Sequence, residues 1–409
     1  MAKITYRTIE GKAPGYLAFL GILVVLLLAA LASAWYMEHN GHYVTGMTNQ
    51  IVWGMPHVFA VFLIVAASGA LNVASMSSVF SKTVYKPLAP LSALLAIALL
   101  VGGLAVLVLD LGRPDRLLVA MTTYNFKSIF AWNIYLYVGF MLIVAVYLWF
   151  MMERRMNRFS KAAGFVAFIW RLILTTGTGS IFGFLVARQA YDAAVMAPLF
   201  IAMSLSFGTA IFIILLSRTF QGTGRPLDPA LIKRLGNLLA VLVAVVLYFT
   251  AVQHLTNLYA AEHHGIEEFI LFSGNKYSQL FWVGQVTFGG LIPLFLLLHP
   301  DFRNIPGWIL LASVLVIVGG FCQIYVIIIG GQAYPLVLFP GMEVSSTFFD
   351  GQVNHYSASL PEFLLGVGGV ALALFIVALA IKVLPILPRS LDSNSESRTD
   401  EISGAAESH

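Results

Sequence analysis

The segment "LSALLAIALLVGGLAVLVLDLGRPDR", residues 91–116, decides the fold class of this chain. Residues 91–109 carry no charged side chain, and an apolar helix of about 20 residues crosses roughly 30 Å of hydrocarbon. Four charged residues then crowd into the turn that follows: Asp110, Arg113, Asp115 and Arg116. The segment predicts a membrane-spanning helix that ends in a charged turn, in which Asp110 and Arg113 are expected to pair and close the helix.

The same pattern recurs along the whole chain. Of its 409 residues 59% are hydrophobic and only 10% are charged, and the mean hydropathy is +0.87, whereas soluble domains are about a quarter charged. Ten apolar runs are long enough to cross a membrane. The sequence therefore predicts an all-α polytopic integral membrane protein with ten transmembrane helices in one domain, residues 1–387. Residues 388–409 are polar and predict a disordered cytoplasmic tail.

The distribution of basic residues predicts the orientation in the membrane. If the N-terminus is cytoplasmic, 17 of the 23 Lys and Arg residues fall in cytoplasmic segments and 5 in outer loops, with Arg171 inside a helix. Short cytoplasmic loops carry an excess of basic residues. Both termini are therefore predicted to be cytoplasmic.

Some functions are excluded by composition. The single cysteine, Cys322, cannot form an internal disulfide or hold an iron–sulfur cluster by itself. A pI near 9.0 is ordinary for a membrane protein with basic cytoplasmic loops. Basic loops of this kind predict contacts with membrane lipids and give no reason to expect a nucleic-acid partner.

Polar side chains within helices are costly in hydrocarbon and mark functional sites. In the predicted orientation most of them lie near the outer surface. His57 opens the second helix, Asp110 ends the third, Asn133 and Tyr135 lie in the first turns of the fourth, and Glu362 opens the tenth. The sequence therefore predicts a polar cluster close to the outer face of the membrane.

Three kinds of chemistry could use such a cluster. A bis-histidine haem b needs two histidines that face each other, and only His57 and His254 lie within helices, with His299 at an edge. A two-haem cytochrome b would need four such histidines and does not fit. A membrane anchor with a single haem b is kept as an alternative. An ion- or solute-coupled transporter would place charges at the midplane, which is nearly bare here, and it also stays open as an alternative.

A quinone pocket fits the cluster better than either alternative. The two carbonyls of a quinone become hydroxyl donors on reduction, so the pocket needs hydrogen-bonding groups that accept protons near one membrane face. Histidine suits this because its pKa lies near neutrality, and a carboxylate can relay the proton. The expected groups are His57, Asp110, Asn133, Tyr135 and, less directly, Glu362. No metal site is expected.

Four segments resemble a known family, the polysulfide-reductase membrane subunits (NrfD/PsrC). "LDLGRPDR" (109–116) resembles the most recognisable motif of that family. "WGMPHVFAVFLIVAASGA" (53–70), "NFKSIFAWNIYLY" (125–137) and "APLFIAMSLSFGTA" (197–210) resemble other conserved segments. Ten helices, one added at each end of an eight-helix core at about 53–330, indicate the longer branch of the family. Within that branch, the likeness is greatest to the DsrP-type subunits of sulfur-metabolising DsrMKJOP complexes.

This resemblance implies a function as part of a larger complex in the cytoplasmic (inner) membrane of a bacterium. Family members hold no haem or iron–sulfur cluster and exchange electrons between a membrane quinone, menaquinone or ubiquinone, and a periplasmic ferredoxin-like iron–sulfur subunit. Such a subunit of an oxidoreductase does not act alone. In the DsrMKJOP complexes the further partners are a cytochrome b, a cytochrome c and a cytoplasmic iron–sulfur catalytic subunit.

The resemblance also implies roles for individual residues. His57 and Tyr135 fall where the quinone ring is contacted in the family. Asp110, Arg113 and Ser128 match motif positions at the site and the docking face. Asp115 and Arg116 are then expected to face the electron-carrying partner, together with Arg113.

A proton path is a further expectation, because quinone chemistry moves protons. Asn72 and Arg171 are the main polar residues of the inner half of the membrane, and with Glu362 they are the candidates for such a path. The fifth helix departs from the family here. It reads "LTTGTGS" (174–180) where some members carry a histidine, so the threonines and Arg171 would have to hold water in its place.

Overall fold

The structure is a computed structural model, and it describes residues 5–336, 351–389 and 391. Within these residues, ten helices are long and apolar enough to cross a membrane, which confirms the predicted all-α polytopic membrane protein. Apart from residues 388, 389 and 391, the predicted disordered tail lies outside the described residues. The helices, labelled α1 to α10, are Pro14–Asn40, Met55–Ser78, Thr83–Leu109, Ile129–Met152, Asn157–Gly183, Met196–Gly222, Pro229–Tyr259, Lys276–Leu298, Pro306–Ala333 and Leu360–Val383.

The local sequence sets several helix ends. Pro56 and Pro361 lie in the first turns of α2 and α10, where the missing N–H would have no intrahelical partner. Asp228 caps α7 by accepting a hydrogen bond from the amide of Ala230. After α3 the chain turns at Gly112, whose φ of +69° favours glycine.

Eight of the helices form two four-helix bundles. Helices α2–α5 pack in sequence around one interior, and helices α6–α9 pack around a second. Helix α6 contacts both α2 and α5, and α9 also contacts α2, so the two bundles share a long interface. Helices α1 and α10 pack on each other, and α10 covers α2 and α3 from outside.

Small residues allow the two bundles to approach closely. A Cβ atom at Gly69 of α2 would collide with the carbonyl oxygen of Ser204 of α6, and one at Gly208 would collide with the amide of Ala70. Close backbone approach through small residues is a common way for transmembrane helices to associate. The relative position of the two bundles is therefore set by backbone contact.

The first and the last described segments of the chain lie on one face of the molecule. A two-residue strand β1, Tyr6–Arg7, pairs antiparallel with β2, Leu387–Pro388. The guanidinium of Arg225, between α6 and α7, donates to four backbone carbonyls, those of Arg7, Thr8, Leu387 and Pro388. We call this the termini face and the opposite one the His57 face. The prediction that the termini face is cytoplasmic rests on the basic residues alone.

Candidate functional site

The site is centred on His57 and Asp110, which two neighbouring antiparallel helices bring together. His57 lies in the first turn of α2, and Asp110 follows α3 directly, its amide still bonded to the carbonyl of Val106. His57 Nδ1 lies 2.8 Å from Asp110 Oδ2, and the side chains are 19% and 1% exposed. The predicted grouping of a histidine with a carboxylate at one face is thus present in the structure.

This pair has unused hydrogen-bonding capacity. The two atoms are at ion-pair distance, but the ring N–H is not aligned with the line that joins them. Within the described residues, neither carboxylate oxygen of Asp110 has an aligned hydrogen-bond donor, and neither oxygen is exposed. A buried carboxylate without a donor is costly. The arrangement therefore suits a ligand that brings a hydroxyl donor.

An aromatic wall lies beside the pair. Trp53 stacks against the ring of His57, with centroids 6.2 Å apart and planes 25° apart. Phe130, Phe182 and Tyr191 each place a ring within 6.4 Å of Trp53. Phe130 is 43% exposed on α4, so the wall is open at this side of the bundle. Flat apolar surfaces of this kind pack well against another ring.

The second bundle holds the segment that precedes His57. The buried side chain of Gln332, at the end of α9, makes four hydrogen bonds. Its Oε1 accepts from the amides of Val52 and Trp53, and its Nε2 donates to the carbonyls of Trp53 and Ile328. Arg188 donates to the carbonyls of Gln332 and Gln50. The sequence analysis singled out neither side chain. A glutamine at the end of an apolar run could have indicated Gln332, and no comparable pattern indicates Arg188.

Glu362 is also part of the support for this segment. Its carboxylate is fully buried and accepts hydrogen bonds from the amides of Gly46 and Ser359 and from the hydroxyl of Tyr356. The Tyr356 hydroxyl in turn accepts from the amide of Met55, where α2 begins. Glu362 therefore ties the start of α2 to α10.

The other two proton-path candidates lie elsewhere. The guanidinium of Arg171 is buried between α5 and α2, where Nη2 is 3.5 Å from the side-chain oxygen Oδ1 of Asn72 and Nη1 is 3.4 Å from the backbone carbonyl of Ser68. Its Nε has no partner within the described residues. None of the hydrogen bonds among the described residues links Glu362 to Asn72 or Arg171. The three residues thus do not form one continuous hydrogen-bonded path within the part of the protein that the structure describes.

The predicted residues of α4 have different surroundings. Asn133 is buried, donates to the carbonyls of Ile129 and Gly177 and accepts from Thr178, so it joins α4 to α5. The Tyr135 hydroxyl donates to the carbonyl of Met121, in the short helix Leu117–Thr122. Ser128 immediately precedes α4, and its side chain forms no cap. Among the described contacts, none joins these three to His57 or Asp110.

The charged turn differs from the sequence expectation. Asp110 points inward to His57, and the expected pairing of Asp110 with Arg113 was wrong. The turn at Gly112 carries Arg113 outward, where it pairs with Asp115 through two 3.0 Å hydrogen bonds. The hydrogen bonds from Arg113 lower the pKa of Asp115, so both charges persist at neutral pH. Arg116 is exposed and has no ion-pair partner among the described residues.

The two histidines considered for a haem are separated by the fold. His57 belongs to the first bundle and pairs with Asp110. His254 belongs to the second bundle and pairs with Glu267 at 2.6 Å. The described residues contain no group of three or more His, Cys, Asp or Glu side chains arranged to hold a metal ion.

Comparisons with known proteins agree with this architecture. Residues 43–335 match the family described as polysulphide reductase, NrfD, and this range contains all eight helices of the two bundles and the His57–Asp110 pair. The chain is 29% identical over 391 residues to the Hdr-like menaquinol oxidoreductase integral membrane subunit of Archaeoglobus fulgidus, covering 94% of this chain and 97% of the relative.

Two further relatives have names from other reactions. A selenate reductase subunit of Mesobacillus selenatarsenatis is 23% identical, covering 89% of this chain and 93% of the relative. The menaquinone reductase integral membrane subunit of Nitratidesulfovibrio vulgaris is 21% identical, covering 93% and 94%. Because the family match covers most of the chain and both bundles, this protein belongs to the polysulphide reductase NrfD family of multi-pass integral membrane proteins.

Proposed function

We propose that this protein is a quinone-reacting membrane subunit of a redox complex. It exchanges electrons between the membrane quinone pool and an iron–sulfur partner subunit, and it contributes no haem or cluster of its own. The observation that carries the proposal is the His57–Asp110 pair, a buried proton acceptor with unused hydrogen-bonding capacity beside an aromatic wall. The names of the relatives, which include menaquinol oxidoreductase and menaquinone reductase subunits, support it.

In this proposal the His57–Asp110 pair carries the proton chemistry. A quinol loses two protons and two electrons as it becomes a quinone. A hydroxyl directed at Asp110 would satisfy the buried carboxylate, and the pair accepts its proton while Trp53, which also contacts the His57 ring, packs against the quinol ring. The second hydroxyl gives its proton to water at the open side of the aromatic wall. The two electrons pass to the partner subunit, and quinone reduction runs the same steps in reverse. Ser128, Asn133 and Tyr135 shape the α4 side of the pocket.

Surrounding residues complete the proposal. The exposed turn with Arg113, Asp115 and Arg116 lies next to Asp110 in the chain and docks the iron–sulfur subunit. Asn72 and Arg171 hold water that supplies protons from the other half of the membrane. We place the protein in the cytoplasmic membrane of a bacterium, with the His57 face outward, in a complex that includes further cytochrome and iron–sulfur subunits.

The direct test is turnover of the purified complex. We expect a soluble quinol to reduce the iron–sulfur clusters of the co-purified partner, or the reduced partner to reduce a soluble quinone, with either reaction followed by absorbance. The same complex after salt-stripping of the partner should lose this activity, because no redox centre remains in the chain. Turnover by the isolated chain, or none by the intact complex in either direction, contradicts the proposal.

We also expect this subunit to carry no haem. His57 and His254 lie in different bundles, each beside a carboxylate of its own bundle, whereas a bis-histidine haem needs two histidines on a common interior. A reduced-minus-oxidised spectrum of the separately purified subunit should show no b-type α-band. A band that follows this chain and disappears in His57→Ala or His254→Ala would show that the single-haem alternative is correct.

A further inference from the structure

A second buried pair of a histidine with a carboxylate lies in the second bundle. His254 Nδ1 is 2.6 Å from Glu267 Oε2, and Asn257 donates to the other carboxylate oxygen at 2.8 Å. Glu267 is 1% exposed and comes from the short helix His264–Glu267, which folds back against α7 at the His57 face. The proposed quinone chemistry uses none of these residues.

Two small cavities continue from this pair into the bundle. The first has a volume of about 20 Å³. It is lined by His254 and by four neutral polar side chains, those of Thr250, Gln253, Gln285 and Gln323. The second, also about 20 Å³, is lined by Ser206 and again by Gln285 and Gln323. A polar cavity needs roughly 10–15 Å³ to hold one water molecule. Each cavity therefore has room for about one water and none for a quinone ring.

Along α7 the two cavities lie between the level of His254 and the middle of the membrane. His254 is five residues from the end of α7, or about 8 Å at 1.5 Å per residue. Val243, which lines the deeper cavity, is about 24 Å from the same end. The amide of Gln323 donates to Thr250 between the two cavities. The result is a polar column inside an otherwise apolar bundle.

The helices that line the column have unusual backbone geometry. Residues 280–291 of α8 and 326–330 of α9 are π-helical, and Gln285, Val326 and Ile327 of these segments line the cavities. π-helical turns are rare and occur often at functional sites. They place Gln285, 7% exposed, in both cavity walls.

The other ionisable groups near the pair have partners of their own. His254 is the only titratable side chain among those that line the cavities. The neighbouring histidines have other partners, since His263 bonds to the carbonyl of Gln189 and also pairs with Glu262, and His264 bonds to the carbonyl of Leu258. Glu268 interacts with Tyr334, and Tyr277 stacks with Tyr325. With one proton between Nδ1 of His254 and Oε2 of Glu267, and none on Nε2, the pair carries a single negative charge, which the hydrogen bond from Asn257 stabilises.

We propose that the His254–Glu267 pair and the two cavities form a protonation site, separate from the quinone site, that exchanges protons with internal water. Nδ1 of His254 is occupied by Glu267, so Nε2 accepts a proton from a protonated water in the cavity, which is left as neutral water. The Nδ1 proton moves to Glu267 Oε2. The pair has then gained one proton and passed from one negative charge to no net charge, and it stays so until the carboxyl group releases a proton at the His57 face.

The test is infrared difference spectroscopy of the purified complex during a pH titration in H2O and in D2O, with no quinol turnover involved. We expect a carboxyl C=O band that titrates, shifts in D2O and is lost in Glu267→Gln. Glu268→Gln, which changes the adjacent carboxyl, should leave the band in place, as should His57→Ala. Gln323→Leu, which removes a polar wall of both cavities, should slow the D2O shift.

Two results would overturn the proposal. One is an unchanged band in Glu267→Gln, and the other is a Glu267 band that never shifts in D2O, which would show that water has no access. If Glu267→Gln does not assemble, His254→Gln is the second variant, because it keeps the carboxyl group and removes its proton donor. In this variant the carboxyl band should no longer titrate over the pH range in which it titrates in the wild type. Quinol turnover measured on the same variants keeps this outcome separate from the quinone proposal.

Discussion

Asp110→Asn is expected to lower the rate of quinol oxidation by about 10²–10⁴-fold while the complex still assembles, the usual effect of losing a positioned acid or base. Asparagine keeps the shape of the side chain and can still bond to His57, but it cannot take up a proton. His57→Ala should have an effect of similar size, because it removes the other half of the pair and the stacking partner of Trp53. The measurement is kcat and KM with a soluble quinol.

The control for this prediction is Asp301→Asn, the same change at a carboxylate that is 80% exposed on the termini face. It should turn over like the wild type. A loss in kcat at little-changed KM would locate the effect in proton transfer, whereas a rise in KM alone would indicate ring binding. If both Asp110→Asn and His57→Ala assemble and turn over normally, the quinone reacts at a different place.

The depth of the polar residues could be predicted from the sequence, and their partners could not. His57 begins one apolar run and Asp110 ends the next, so consecutive antiparallel helices must bring them to the same face. Which way a side chain points around the helix is harder, because each residue turns by about 100°. Asp110 was expected to meet Arg113 three residues away, and the turn at Gly112 separates them.

The support of the site shows a second limit of sequence reasoning. Gln332 holds Trp53 across 279 residues of chain, and Glu362 holds the loop at Gly46 across 316. No periodicity or motif indicates such pairs, because they depend on how the two bundles and α10 pack. Glu362 was considered for a proton path because it is a carboxylate within a helix. Its carboxylate instead accepts three hydrogen bonds, from Gly46, from Ser359 at the start of α10 and from Tyr356, whose hydroxyl accepts from the first amide of α2.

Tyr135 illustrates the same limit on one helix. The resemblance to the family implies that it contacts the quinone ring, and its hydroxyl here donates to Met121. The hydroxyl thereby anchors the short helix Leu117–Thr122, which follows the charged turn directly. Tyr135 therefore connects α4 to a short helix beside the surface on which we expect the partner subunit.

Arg116→Glu is expected to release the iron–sulfur subunit when the complex is extracted with a mild detergent. Arg116 is exposed and has no ion-pair partner among the described residues, so it is available to a carboxylate of the partner. A like charge placed at an interface costs several kcal/mol, and each 1.4 kcal/mol is about a tenfold loss of affinity. We therefore expect a loss of about 100-fold or more, measured as the amount of partner that co-purifies.

Two control variants separate docking from damage to the turn. Lys127→Glu makes the same charge change at an exposed position of the same loop and should retain the partner if docking is centred on the charged turn. The exchange Arg113→Asp/Asp115→Arg keeps the net charge and the intramolecular pair, which joins 64% and 60% exposed side chains. It should preserve the fold of the turn. Any loss of docking in this variant would then come from the exchanged positions of the two charges.

The alternative for the two arginines is binding to lipid phosphates, and salt and charge reversal distinguish it from docking. Salt screens contacts between exposed charges, with a Debye length of about 10 Å at 0.1 M. If the partner docks on these arginines, it should dissociate from the Arg116→Glu complex at a lower salt concentration than from the wild-type complex. Arginines that bind lipid would leave the complex intact and alter only the lipid that co-purifies. A full complement of the iron–sulfur subunit on Arg113→Glu/Arg116→Glu at every salt concentration would mean that the partner docks on a different surface, and the charged turn would then serve only to place Asp110 beside His57.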